Sequence, residues 1–130
     1  EVANVGLTLR YYCGRVLPDT SAIARGFISK DLEGRKFFES FTFLLHPVAR
    51  YESDKHSGGK RELERLGHFS SIGRIRLLQT NSITDASKLT NIERDEAILK
   101  DALENNAMVI TADSGMKGAA QAKGLFVLEL

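Results

Sequence analysis

Four carboxylates in this chain stand where side-chain chemistry would need them: Asp19, Glu52, Asp95 and Asp113. Asp19 follows the short apolar run Val16-Leu17-Pro18, and Asp113 follows Val109-Ile110-Thr111-Ala112. Each leads into residues that open a helix, Thr20-Ser21 in one case and Ser114-Gly115 in the other. Aspartate, serine and threonine are favoured helix caps, and capping alone accounts for either aspartate taken singly. Both falling at the carboxyl end of a strand is less expected from capping, because ligands of open parallel sheets sit outside that edge.

Asp95 enters through helical phase. Thr90-x-x-Glu93 reads as a capping box, which starts a helix at about residue 91. At helical spacing Ile92, Leu99, Ala102 and Leu103 share one face; Asp95 falls on that face, Glu96 at its edge, and Asp101 points the other way into solvent. A carboxylate on an apolar stripe is costly unless it is paired, hydrogen-bonded or bound to metal. The competing reading is an aspartate stabilised by the helix dipole and angled to solvent. Glu52 lies one turn beyond the Pro47-Val48 helix entry and can reach back toward the sheet edge, with Asp54 near enough in sequence to share its role. Four carboxylates without histidine or cysteine partners suit a hard divalent cation, Mg²⁺ or Mn²⁺, rather than zinc. His46, His56 and His68 lack metal-ligand spacing and read as surface residues.

The elements that must hold these groups alternate along the chain. Strand-like apolar runs occur at 15–17, 41–45, 75–79, 108–111 and 125–130. Helical patterns occur at 20–30, at 48–66 with an interruption at Ser57-Gly58-Gly59, at 91–105 and at 115–123. Strands alternating with helices imply crossovers and a mostly parallel sheet of about five strands covered on both faces. Residues 1–14 form an extra strand or an extended arm, since Val5, Leu7 and Leu9 alternate, and residues 15–130 form the single domain.

Length and composition set the bounds. The 130 residues suffice for one domain, and 42% apolar with 27% charged residues exclude wholesale disorder. No apolar run approaches the roughly 18 residues of a membrane span, and no signal peptide is visible. A single cysteine, Cys13, excludes an internal disulfide, and the expectation is a cytoplasmic protein. The net charge of +1 is uninformative, but its distribution is not. Residues 50–76 carry seven Lys/Arg against four acids, and residues 85–113 carry seven acids against three bases. That suits a site binding both a polyanion and cations, although two ordinary solvated faces would look the same.

Four segments together resemble the motifs of the PIN domain, the PilT N-terminus nuclease family. They are Leu17-Pro18-Asp19-Thr20-Ser21, Glu52-Ser53-Asp54-Lys55, Asp95-x-x-Ile98-x-x-x-Ala102, and Val109-Ile110-Thr111-Ala112-Asp113. Ser53 stands where leucine is usual, and Glu52 lies five residues after Pro47 where six is commoner. The resemblance covers about residues 15–130 and is nearest to PIN domains fused to ATPases and to VapC-type toxins. It implies a Rossmann-like three-layer α/β/α fold and metal-dependent hydrolysis of RNA phosphodiesters. It makes Asp19 and Asp95 principal metal ligands, Asp113 a ligand directly or through water, and Glu52 a ligand or water-orienting base. Thr20, Ser21, Thr111 and Ser114 would orient those carboxylates. Lys55, Lys60, Arg61 and Arg65 would meet the backbone of single-stranded or structured RNA. The partners implied are a fused or separate ATPase or an antitoxin, and a homo-oligomer.

Other readings are weaker. A haloacid-dehalogenase-type phosphotransferase needs a second aspartate two residues after the first, and here that residue is Ser21. Gly58-Gly59-Lys60-Arg61 lacks the spacing and the Ser/Thr of a phosphate loop. A PIN-like module that binds RNA or protein without cutting is the main alternative, and retention of all four acids argues against it.

Overall fold

A computed structural model of the chain describes residues 14–80, 82 and 85–130. The expected N-terminal arm lies outside the described residues. The elements run β1 (Arg15–Pro18), α1 (Thr20–Ala24), α2 (Phe27–Glu33), β2 (Thr42–Leu45), α3 (Pro47–Ser53), α4 (Ser57–Ser71), β3 (Arg76–Gln79), a short 3₁₀ turn (Ala86–Lys88), α5 (Asn91–Glu104), β4 (Met108–Thr111), α6 (Ser114–Ala122) and β5 (Val127–Glu129). The five strands form one all-parallel sheet in the order β3-β2-β1-β4-β5. The chain builds outward from β1 to β3, then crosses back to add β4 on the other side of β1. The order therefore reverses between β1 and β4, the place where parallel sheets open a crevice at their carboxyl edge.

Side chains alternate across the central strands, and each face has its own core. Leu17, Leu44 and Val109 join one apolar cluster, with Ile98, Leu99 and Met116 from the helices. Val16, Phe43, Met108 and Ile110 join the other, with Ile28, Leu32 and Leu66. This period-two alternation explains why these strands read as continuous apolar runs: both faces are buried. The result is the expected three-layer α/β/α arrangement.

Two helical segments are broken where the sequence pattern runs on. Residues 20–30 form two helices, not one, because Gly26 adopts φ 67°, a left-handed conformation that ends α1 and starts α2. Buried Glu62 of α4 then fixes the start of α2, accepting from the Ser29 backbone N–H at 3.0 Å and the Ser29 hydroxyl at 2.7 Å. The interruption expected at residues 57–59 falls instead at 54–56, and Gly58 and Gly59 lie in the first turn of α4. Gly59 is needed there: a Cβ would stand 2.7 Å from the Ser53 carbonyl oxygen. The close approach sets the elbow between α3, which carries Glu52, and α4. No helix among the described residues is long and apolar enough to cross a membrane.

Candidate active site

Asp19 and Asp113 occupy the carboxyl ends of neighbouring strands, since β1 pairs directly with β4 through Leu17–Val109 and Pro18–Ile110. Each also caps a helix, Asp19 accepting from the Ala22 N–H at 2.9 Å and Asp113 from the Gly115 N–H at 3.1 Å. Capping and site placement are thus the same geometry. A helix that starts at the carboxyl edge needs an acceptor there, and that acceptor's remaining lone pairs face the crevice.

Two hydroxyls fasten the pair. Thr111, fully buried, donates to Asp19 Oδ2 and accepts from the Asp113 N–H at 3.0 Å. Ser21 donates to Asp19 Oδ1 at 2.7 Å and accepts from the Ala112 N–H at 3.0 Å. Thr111 and Ser21 also approach each other at 3.2 Å. Asp19 thus accepts three hydrogen bonds and is itself buried. Thr20 donates to Glu52 Oε1 at 2.7 Å, tying α1 to α3. Ser114 opens α6 but does not line the cleft.

Glu52 and Asp95 complete a cleft of about 340 Å³ lined by all four acids, with Thr20 and Ser21. The Asp95 carboxyl is pushed above the usual aspartate range, first by burial and then by the charges of Glu52, Asp113 and Asp19. The four groups share one electrostatic environment, and adding a fourth negative charge to it is unfavourable. Asp54, the alternative to Glu52, is exposed and lines a separate groove with Arg50 and Tyr51.

The phase of α5 differs from the expected one. Ile92 is 74% exposed and Leu103 47%, while Ile98, Leu99 and Ala102 are buried. The buried arc is rotated toward Asp101, which is only 7% exposed and not solvated as expected. Its partner is His46, expected at the surface but fully buried, whose Nε2 stands 3.2 Å from Asp101 Oδ2. His46 Nδ1 accepts from the Val48 N–H at 3.0 Å and caps α3. Identical apolar weights for Ile92 and Ile98 do not anticipate that Asp101 is turned inward against a buried histidine. Asp95, expected on the apolar stripe, is exposed: it keeps its helical phase with buried Leu99 and Ala102, but lies near the start of α5, where that face has left the core and lines the cleft.

Sequence reasoning missed two residues here. Arg94 reaches Glu52 Oε2 at 3.4 Å, and exposed His56 lies on the cleft wall beside Ala24 and Ile98. Nothing in the spacing singled out Arg94, because its partner is 42 residues away. Of the basic candidates, Lys55 lies over the Tyr51 ring at 4.0 Å, and Lys60, Arg61 and Arg65 are exposed on α4. Lys60 lines a groove with Arg50 and Asp54, apart from the four acids.

The donor set fits a hard cation, since it is all oxygen and its mutual repulsion calls for positive charge. Among the described residues, no three histidine, cysteine or carboxylate side chains are drawn close enough together to hold a metal ion as they stand. The hydrogen bonds explain this: Asp19, Glu52 and Asp113 are each committed to hydroxyl, backbone or guanidinium partners.

No sequence-family model matches the chain, and no curated relative does. Solved structures do match. A domain of a functionally unknown protein from Methanocaldococcus jannaschii superposes with a TM-score of 0.78 at 22% identity, over 89% of this chain and 90% of that one. A PilT N-terminus domain protein from Sulfolobus solfataricus superposes at 0.51 with 15% identity, over 88% and 86%. VapBC2 from Rickettsia felis, bound to a DNA fragment from its promoter, matches at 0.52 with 15% identity, over 89% and 98%. With its parallel sheet, its flanking helices and these neighbours, the chain has the fold of the PilT N-terminus, or PIN, domains.

Proposed function

We propose that this protein is a divalent-metal-dependent endoribonuclease. The observation that carries the reading is the convergence of Asp19, Glu52, Asp95 and Asp113 on one cleft at the strand-order reversal, with three of them raising the proton affinity of the fourth. Asp19, Asp95 and Asp113 would hold Mg²⁺ or Mn²⁺. Bound there, such an ion would supply positive charge for the phosphodiester and acidify the attacking water. Thr111 and Ser21 would keep Asp19 oriented by hydrogen-bonding its two carboxylate oxygens. Glu52, held by Thr20, would join the three aspartates as a further ligand or orient the attacking water as its base. The open cleft suits single-stranded RNA, and Lys55, Lys60, Arg61 and Arg65 would meet its backbone without reading bases. An antitoxin or ATPase partner would control access to the cleft and leave this chemistry unchanged.

The test is cleavage of labelled single-stranded RNA with Mn²⁺ and with excess EDTA, in the wild type and in Asp19→Asn. That substitution keeps shape and removes the charge that binds a cation. Cleavage should require Mn²⁺ and fall by at least about a hundredfold in the variant, with RNA binding retained. Cleavage that persists in EDTA or in Asp19→Asn would refute the mechanism.

A further inference from the structure

Arg94 is the cation that the four acids already possess. Its side chain is largely buried and is held by three neighbours, Ala86, Tyr51 and Glu52. Nε donates to the Ala86 carbonyl oxygen at 3.0 Å, anchoring it to the 3₁₀ turn before α5. The guanidinium lies 5.2 Å from the centre of the Tyr51 ring. Nη1 reaches Glu52 Oε2 at 3.4 Å, while the other Glu52 oxygen accepts from Thr20. Glu52 is therefore held at both oxygens, one of them by a positive charge next in sequence to Asp95. An exposed surface ion pair would matter little. This one is partly buried, and its acid is one of the four that line the cleft, so its field acts on the cleft at short range.

We infer that Arg94 is a positioning residue that holds Glu52 in the cation-free cleft and lowers the cleft's affinity for a divalent cation. The inference rests on the metal-binding reading above and adds a regulator of that site. With Arg94 in place, the four negative charges are partly balanced and the protein tolerates an empty cleft. An incoming cation must either share Glu52 with the guanidinium or displace it. Arg94 thus sets how much free cation is needed before the site fills. Tyr51 and Ala86 keep the guanidinium nearby after Glu52 turns away, which leaves a positive group beside the cleft for the substrate's phosphate.

The experiment is a Mn²⁺ titration of the whole chain, followed by electron paramagnetic resonance of the free ion. Arg94→Gln should bind Mn²⁺ about tenfold more tightly than the wild type, from loss of one nearby positive charge. Arg94→Lys keeps the charge but loses the paired reach to Ala86 and Glu52, and should gain about threefold. Lys100→Gln removes the same charge from an exposed position on the same helix and should change nothing. In a Glu52→Gln background, Arg94→Gln should gain less than about threefold, because the competition is for that carboxylate. Wild-type affinity in both Arg94 variants would overturn the inference, and so would an undiminished gain in the Glu52→Gln background. Absence of saturable Mn²⁺ binding in the wild type would overturn the proposed function itself, before the variants are compared.

Discussion

The hydroxyl that ends β4 holds the carboxylate that ends β1: buried Thr111 donates to Asp19, 92 residues away in sequence. The same oxygen accepts from the Asp113 backbone, so one side chain fixes two acids of the cleft. Thr111→Val keeps the shape and deletes these bonds. It should cost about 1–3 kcal/mol of stability, read by urea denaturation, because the Asp113 N–H and one Asp19 oxygen lose their partner. Mn²⁺ binding should weaken alongside. Unchanged stability would mean that the hydroxyl bonds contribute nothing.

Asp95→Asn should behave unlike most substitutions at an acid of a binding cleft. In metal-free protein at neutral pH it removes a charge that burial and three neighbouring acids already disfavour. The melting temperature should hold or rise. Adding Mg²⁺ or Mn²⁺ should raise the melting temperature of the wild type more than that of the variant. Equal metal-induced shifts would remove Asp95 from the ligand set.

The exposed bases of α4 give a third measurement. Lys60→Ala combined with Arg61→Ala should weaken single-stranded RNA binding at every sequence tested and flatten its dependence on salt, since phosphate contacts act through counterion release. An unchanged salt slope would make this side of α4 an ordinary solvated face.

His46 makes stability depend on pH. Burial pushes its pKa below the ordinary value near 6.5, against the pull of Asp101. Below that ordinary value the unfolded chain takes up a proton that the folded chain refuses. Stability from this group is therefore complete above about pH 6.5 and declines as pH falls, by up to about 1.4 kcal/mol per unit until the folded histidine also titrates. His46→Asn, which can still cap α3, should show a shallower decline between pH 6.5 and 5. Parallel curves for the two proteins would show that His46 does not carry the effect.

Local chemistry made the strand ends legible in the sequence. Val109-Ile110-Thr111-Ala112-Asp113 contains a buried strand, its end and a cap in five residues, and the structure has all three. Glu52 was legible because Pro47 fixes the helix start and one turn of helix fixes the direction. What the sequence concealed depends on groups far apart along the chain. α5 turns Asp101 inward against His46, and the break at Gly26 is followed by a helix start that Glu62 of α4 holds. Arg94 looked like one more charge on a polar helix, and only the fold places it against Glu52. Periodicity reports which residues are apolar; it does not report which polar residues will find each other.

The strand order also has a consequence for synthesis. A growing chain completes β1, β2 and β3, with Asp19 and Glu52 in place, well before α5 and β4 exist. Until β4 inserts beside β1, Asp19 lacks Thr111, and neither Asp95 nor Asp113 can reach the crevice. A chain that ends before α5 carries two of the four acids, and one that ends before β4 carries three and lacks Thr111 and Asp113. The cleft is thus completed late, by the one strand that must return to the middle of the sheet.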